Sequence, residues 1–264
     1  MSIWLYLFGH SLSLFALYGF MQGGEASYLL PLVTFGLIPI FELFCSPSKY
    51  NFSQEDLTLR GSSPAFHLLT LTIVPLQYLT LAVYLWRVSL GEWSVFEWVG
   101  CTLSMGLLCG AYGINVAHEL GHRSDKISRL GAKTLLLTSL YMHFFIEHNR
   151  GHHAKVATEE DPASARLGET LYAFWWRSVA GGFRSAWRIE ARRLERKSLS
   201  PWSWNNEALR YITIQLSALT LLWAICGHLV VLSFICCAFI GFSLLEAVNY
   251  IEHYGLKRER QESG

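Results

Sequence analysis

Charged side chains are scarce in this sequence. Asp, Glu, Lys and Arg make up 16% of the 264 residues, whereas 52% are hydrophobic. Soluble domains carry about 25% charged residues, so this composition excludes an ordinary soluble protein and predicts a membrane protein. The formal net charge of +1 is uninformative by itself. We expect membrane lipid around the chain and no nucleic-acid partner.

Several other sequence features are absent. The six cysteines all lie in apolar stretches and form no CxxC pair, which argues against a disulfide framework and a thiolate metal site. No internal repeat, coiled-coil heptad or low-complexity tract is evident. The N-terminus lacks the positive segment and small-residue cleavage site of a signal peptide. We therefore expect the first apolar run to be retained as a helix.

Six apolar runs have a length close to that of a membrane-spanning helix. They form three pairs with short breaks: 3–22 with 27–45, 66–86 with 95–117, and 209–227 with 229–250. Long apolar runs without strand alternation predict helices. The sequence thus predicts an all-α protein, a bundle of six transmembrane helices in a single domain.

The longest polar region, 118–208, separates the fourth run from the fifth. Its later part is rich in arginine, so by the positive-inside rule we expect it in the cytoplasm. Within it, the segment 130–146 is apolar, but a crossing there would hold the histidines at its two ends about 30 Å apart on opposite faces. We expect instead a helix that dips into the membrane interface or lies against it.

The first histidine motif, HELGH, contains His118 and His122. Residues four apart on a helix share one face, so these two imidazoles could bind one metal ion. The same letters satisfy the HExxH motif of zinc proteases, in which Glu119 would activate a zinc-bound water. The motif is short enough to arise by chance, and a membrane zinc protease is one alternative.

Two later motifs supply more histidines than one catalytic zinc requires. They are EHNRGHH and NYIEHYG, which contain His148, His152, His153 and His253. A catalytic zinc uses three protein ligands, so six suitable imidazoles favour a site with more than one ion. A carboxylate-bridged di-iron bundle would need paired ExxH motifs, and only Glu119–His122 provides one. Imidazole suits iron, copper, zinc and nickel alike, so these residues do not identify the metal.

Other polar side chains lie close to these histidines in sequence. They are Glu119, His143, Glu147, Asp161 and Glu252. A carboxylate near a metal-bound histidine often accepts its second ring N–H, although a solvated acidic surface explains the four carboxylates equally well. His143 could line the site or be a plain interfacial histidine. We expect no catalytic residue beyond the metal ligands.

The three motifs together carry a specific resemblance. NVAHELGHRSD, FFIEHNRGHHAKVATEEDPASARLGE and VNYIEHYGL resemble the integral-membrane alkane 1-monooxygenases, which are related to xylene monooxygenase and the membrane fatty acid desaturases. The resemblance implies a non-haem centre of two iron ions that uses O₂ to hydroxylate the terminal methyl group of alkanes. It implies rubredoxin, with its NADH-dependent reductase, as electron donor. The implied iron ligands are His118, His122, His148, His152, His153 and His253.

The chain departs from that family at its end. Family members resemble one another in a further motif, HSDHH, which follows NYIEHYG and supplies three more ligands, whereas this chain stops at Gly264. We expect a fragment that lacks the C-terminal part of the family domain and binds iron incompletely. The expected location is the bacterial inner membrane, with the metal site on the cytoplasmic side.

Three alternatives stay open from the sequence. A related di-iron hydroxylase or desaturase would act on alkylbenzenes or fatty acyl chains. The membrane zinc protease would depend on Glu119 and leave most of the later histidines dispensable. A non-catalytic metal-binding or sensory protein would hold metal without O₂-dependent turnover.

Overall fold

A computed structural model describes residues 7–45, 53 and 63–258. Within these residues all regular structure is helical, which confirms the all-α prediction. We number nine described helices in chain order. They are α1 (Leu7–Gln22), α2 (Gly24–Phe44), α3 (Pro64–Leu90), α4 (Val95–Gly121), α5 (Lys126–Thr138), α6 (144–155), α7 (Leu171–Glu195), α8 (Glu207–Cys226) and α9 (His228–His253).

Five described helices, α2, α3, α4, α8 and α9, are long and apolar enough to cross a membrane. They coincide, to within a few residues, with five of the six predicted runs. The remaining run, 3–22, begins outside the described residues, and its described helix α1 is 16 residues long. The six crossings therefore stay a prediction. Five of them correspond to a described helix of the required length.

The short connections between paired helices follow from local backbone chemistry. Helix α3 ends at Gly91 in the left-handed conformation, with φ 66°, and α8 gives way to α9 at Gly227, with φ 84°. Glycine adopts such angles without the penalty that a Cβ atom imposes. Ser94 then begins α4 with a capping box that includes Glu97. The carboxylate of Glu97 also accepts the backbone N–H of Gly24 at 2.7 Å, which joins the starts of α2 and α4.

Small residues allow α4 and α9 to pack closely. A Cβ atom added at Gly241 would lie 2.7 Å from the Cβ of Cys109, and one at Gly106 would lie 2.6 Å from Ile240. Such close contact is typical of small residues between membrane helices. Because Trp98 donates to Ser233 at 2.7 Å near the helix starts, α4 and α9 run in the same direction. Their C-terminal ends, which carry two of the histidine motifs, therefore meet.

The apolar segment 130–146 is not one helix, contrary to our expectation. Helix α5 ends at Thr138, Leu140 has a positive φ of 48°, and α6 begins at Phe144. The hydroxyl of Ser139 donates to the carbonyl of Cys109 at 2.8 Å and holds this break against α4. The chain thus turns back on itself, and the histidine motifs that flank the segment come together.

The buried apolar residues form two clusters. One lies among α1, α2, α3, α4 and α9 and includes Phe20 and Tyr84. The other lies where α4 ends, among α5, α6, α7 and α8, and includes Leu120 and Ile146. The first two histidine motifs belong to elements that enclose this second cluster. Phe242 and Leu245 of α9, the helix that carries the third motif, pack against it, so the positions of the motifs are set by a packed core.

Candidate metal centre

Four histidines converge between the end of α4 and helix α6. His118, His122, His148 and His153 each offer one ring nitrogen, and these nitrogens all lie within 4.8 Å of one another. The Nε2 atom of His122 lies 2.9 Å from that of His118 and 3.4 Å from that of His148. We call this group the four-histidine cluster. It brings the first and second motifs to one place.

A π-helical turn explains how the second motif contributes two rings to this cluster. Residues His148–His152 form the turn, in which hydrogen bonds run from residue i to i+5. Residues five apart then lie above one another, and the Nε2 atoms of His148 and His153 are 3.0 Å apart. A regular α-helix would instead align His148 with His152. No local sequence pattern predicts this change of period.

His152 faces a different neighbour. Its ring lies 5.1 Å from that of His253, centroid to centroid, at the end of α9. Its Nδ1 atom is 2.9 Å from a carboxylate oxygen of Asp161, and the Nδ1 atom of His253 is 2.9 Å from the carbonyl of Asn249. Each of these rings therefore keeps its Nε2 atom for another partner. We call His152 and His253 the histidine pair; it adjoins the cluster because His148 and His152 stack at 5.3 Å.

The surroundings keep ligand nitrogens unprotonated in the four-histidine cluster. Burial and the neighbouring imidazoles lower the pKa of His148 to about 2, and burial also lowers the pKa of His153. Burial lowers the pKa of His152 as well, but the hydrogen bond and charge of Asp161 outweigh it and leave this pKa raised. A histidine binds metal in its unprotonated form, so His148 and His153 are ready ligands at neutral pH.

The donor set fits a transition-metal ion. The Nε2 atoms of these four rings lie as close as 2.9–3.4 Å to one another. The rings carry too few protons for every one of these contacts to be a hydrogen bond, whereas a shared cation would bind the lone pair of each Nε2 atom. No carboxylate belongs to the group of four found among the described residues. Imidazole donors suit iron, copper, zinc and nickel and disfavour magnesium and calcium.

The other predicted site residues are distributed differently. The side chain of Glu119 is 60% exposed and lies 3.4 Å from Arg123, so it points to solvent. Glu252 is exposed, whereas Asp161 is buried and contacts His152. His143 is buried against Tyr141 and Phe183, and burial lowers its pKa to about 4.

Two buried carboxylates lie behind the cluster. The Oε1 atom of Glu147 is buried without a hydrogen-bond partner, and burial raises the pKa of this carboxyl to about 7. Glu246 on α9 accepts a hydrogen bond from Tyr141 at 2.9 Å. Sequence reasoning missed Glu246, although an acidic residue inside an apolar run is a signal of function or of a specific partner.

An ion-pair network joins Arg150 of the second motif to the neighbouring helices. Arg150 donates to Glu190 on α7 at 2.7 Å and to Glu207 on α8 at 3.0 Å. Lys133 on α5 donates to the same Glu207 at 2.6 Å, and Arg193 donates to Glu190. The side chain of Glu190 is fully buried. This network holds α5, α6, α7 and α8 together directly behind the π-helical turn.

An open apolar groove lies within the bundle and is lined in part by α4 and α9, which carry the first and third histidine motifs. It has a volume of about 440 Å³ and lies among α1, α2, α4 and α9, with Leu30 and Leu107 in its lining. At one end it is lined by Asn115 and Glu252. Asn115 is three residues before His118 and Glu252 is next to His253 in sequence, so this end of the groove lies at the same end of α4 and α9 as the histidine motifs.

Comparison with known proteins adds the family context. The fatty acid desaturase family model matches residues 93–264. The chain is 40% identical to alkane 1-monooxygenase of Pseudomonas putida and 36% identical to alkane 1-monooxygenase 1 of Alcanivorax borkumensis, over 88% and 89% of its length. It is 31% identical over 78% of its length to the xylene/toluene monooxygenase hydroxylase component XylM of Pseudomonas putida. The resemblance seen in the motifs is thus confirmed, and the chain spans 57–58% of the length of these relatives.

Proposed function

Because this chain belongs to the fatty acid desaturase family, we propose that it is a membrane-bound alkane hydroxylase that uses O₂ to convert the terminal methyl group of an alkane into a primary alcohol. The observation that carries the proposal is the four-histidine cluster at the end of α4, a helix that also lines an open apolar groove. The similarity to several alkane 1-monooxygenases supports this choice of substrate.

The proposed cofactor is a pair of iron ions. His118, His122, His148 and His153 would hold one ion, and His152 and His253 would contribute to the second. Bound iron supplies the activation of O₂ that insertion of an oxygen atom into an unactivated C–H bond requires. Asp161 would orient His152 by accepting its Nδ1–H, so that Nε2 faces the ligand position.

The groove would bind the hydrocarbon chain. An alkane has no polar group, so its recognition depends on the shape of an apolar lining such as that formed by Leu30, Leu107 and Leu108. The groove holds the chain end-on and excludes water around it, which limits the reactive positions to those near the histidines. Substrate would enter from the lipid, because the lining residues Phe35 and Val248 are exposed on the sides of α2 and α9.

Rubredoxin, reduced by its NADH-dependent reductase, is the proposed electron donor. It would approach from the cytoplasmic side of a bacterial inner membrane, where we place the histidine motifs. Arg184, Arg188 and Arg192 form an exposed basic stripe along α7, which suits an acidic protein partner. Anionic lipid headgroups are the competing partner for the same stripe.

Metal analysis and a product assay test the proposal together. We expect the purified protein to contain iron and to convert an n-alkane to its 1-alcohol, with the alcohol oxygen derived from isotopically labelled O₂, when rubredoxin, reductase and NADH are present. Faster conversion of an alkylbenzene would favour the chemistry of the XylM-like relative. Stoichiometric zinc with peptide hydrolysis that depends on Glu119 would contradict the proposal, and so would bound metal without O₂-dependent product.

Filling the groove should change which alkanes react. Ala111 lines the groove on α4, and a phenylalanine there would occupy part of the space for the hydrocarbon chain. We expect Ala111→Phe to lower kcat/KM for long alkanes by about 10-fold or more while short alkanes lose less, since each buried methylene contributes about 0.8 kcal/mol of binding. The measurement is competition between alkanes of different length, with products separated by gas chromatography.

Leu103→Phe is the matched control for this experiment. Leu103 is on the same helix and 37% exposed, but it is not among the residues that line the groove. Its substitution should leave the ratio of products unchanged. An equal loss for every chain length in Ala111→Phe would show that the groove does not hold the hydrocarbon chain.

A further inference from the structure

The loop between α6 and α7, residues 156–170, contacts His152 and the end of α9 that carries His253. It carries Asp161, which binds the Nδ1 atom of His152 at 2.9 Å. Asp161 is itself held within the loop, because its carboxylate accepts hydrogen bonds from the hydroxyl of Ser164 and the backbone N–H of Ala163. The position of this loop therefore determines where the ring of His152 is held.

The same loop is joined to the end of α9, where His253 lies. Tyr250 donates its hydroxyl proton to the carbonyl of Glu169 at 2.7 Å, and the hydroxyl of Tyr254 accepts the backbone N–H of Gly168 at 3.0 Å. The backbone N–H of Gly255 donates to the carbonyl of Ala165 at 3.0 Å. These three hydrogen bonds surround His253 in sequence, so one loop connects two histidines that are 101 residues apart.

One side chain of α7 holds the loop in this shape. The guanidinium group of Arg177 makes two hydrogen bonds to the carboxylate of Glu169, at 2.7 and 2.6 Å. It also donates to the carbonyls of Pro162 and Ser164, at 3.1 and 2.9 Å. The loop residues that it contacts are Pro162 and Ser164, just after Asp161, and Glu169, at the contact with α9. Only a planar guanidinium offers this many fixed donors at once.

Burial and charge indicate that this contact is specific. The Glu169 side chain is 13% exposed and that of Arg177 is 24% exposed, so the ion pair is largely shielded from water. The hydrogen bonds from Arg177 lower the pKa of Glu169, and the carboxylate stays ionised at neutral pH. Paired, charge-assisted hydrogen bonds of this kind are the strong class in proteins.

We propose that Arg177 is a positioning residue that clamps the α6–α7 loop and thereby sets the histidine pair, His152 and His253, in a fixed mutual arrangement. The basis is geometric: four hydrogen bonds from one guanidinium to a loop that binds His152 through Asp161 and contacts α9 on either side of His253. That the pair then serves as metal ligand rests on the proposed function. The clamp itself does not.

Residue-resolved chemical modification of the histidines tests the clamp. Diethyl pyrocarbonate modifies accessible neutral imidazoles, and His152 is only 8% exposed in the folded protein. The full chain is first treated with chelator. We then expect Arg177→Gln to increase the modification rates of His152 and His253 by about 10-fold or more. The reason is that hydrogen bonds to charged groups shift the equilibrium between the closed and the open loop by at least an order of magnitude towards the closed form. His118 and His122 should change by less than about twofold, since they lie outside the loop contacts.

Two variants serve as comparison. Arg184→Gln removes an exposed arginine about two turns further along α7 and should leave all rates at the wild-type level. Tyr250→Phe removes a single hydrogen bond from the α9 contact while its ring keeps its place beside Phe174, and it should affect His253 more than His152. This second variant keeps the test valid even if Arg177→Gln unfolds the chain.

The outcomes separate the clamp from the proposed function. Wild-type rates at His152 and His253 in a folded Arg177→Gln protein would overturn the clamp, and so would a Tyr250→Phe variant without any effect at His253. Repetition after loading with cobalt(II) addresses the metal: protection of the cluster histidines by cobalt supports the proposed function. Failure of cobalt to protect any histidine would contradict the metal site and leave the clamp intact.

Discussion

His122→Ala is expected to abolish metal binding at the four-histidine cluster and the proposed hydroxylation with it. The Nε2 atom of His122 lies 2.9, 3.4 and 3.3 Å from those of His118, His148 and His153, so this ring contacts every other member. Replacement of residues that merely support a metal ligand costs about 10–100-fold in affinity or activity, and loss of a ligand should exceed that. The measurements are iron content per chain and alcohol formed per chain.

His67→Ala provides the control for the loss of an imidazole. His67 lies on α3, hydrogen-bonds to Ser128 at 2.7 Å and is not a member of the cluster. Its removal should leave iron content unchanged. Glu119→Gln adds a second comparison, because the exposed Glu119 side chain points to Arg123 and its loss should change activity by less than about threefold, within the range of surface substitutions. A wild-type iron content in His122→Ala would refute the assignment of this cluster as the metal centre.

Glu190→Ala should produce the largest loss of stability in the described part of the chain outside the histidines. Its fully buried carboxylate pairs with Arg150 and Arg193 and accepts the backbone N–H of Glu207 at 2.8 Å. Removal of one member of a buried ion pair costs about 3–5 kcal/mol, and we expect about 3 kcal/mol because both arginines keep roughly a third of their side-chain surface exposed. The free energy of unfolding can be measured by denaturant titration in detergent micelles.

The consequence should extend to the metal centre. Arg150 lies within the π-helical turn, so loss of its partner on α7 loosens the turn that presents His148 and His153. We therefore expect Glu190→Ala to lower iron retention during dialysis as well as stability. Glu195→Ala, at an exposed position on the same helix, should alter neither. Full stability in Glu190→Ala would show that the network is not a structural support.

Much of the fold was predictable because its signals are local. A run of apolar residues near 20 long predicts a spanning helix whatever its neighbours are, and α4 and α9 coincide closely with the predicted runs 95–117 and 229–250. The three histidine motifs were equally visible, since imidazole is rare in apolar sequence. The expectation that both flanks of 130–146 lie on one face followed from the thickness of the bilayer together with the premise that the two histidine motifs share a metal site.

The features that escaped prediction depend on tertiary contacts. The break between α5 and α6 requires Leu140 at positive φ and a hydrogen bond from the Ser139 hydroxyl to the carbonyl of Cys109, which is 30 residues earlier in the sequence. The division of the histidines into a cluster and a pair depends on a change of helical period at His148–His152. No local helix propensity predicts this change. The proposed role of Arg177 depends on the conformation of the α6–α7 loop, which no sequence motif predicts.

The π-helical turn has a consequence for how metal ions would bind in succession. His148 and His153 point to the cluster and His152 to the pair, yet all three belong to one turn of α6. A first ion that binds would fix the conformation of this turn. The second ion would then bind to an already ordered turn and would lose less conformational entropy on binding. The two positions should therefore fill cooperatively, and a titration of the metal-free protein should show a rise steeper than that of independent sites.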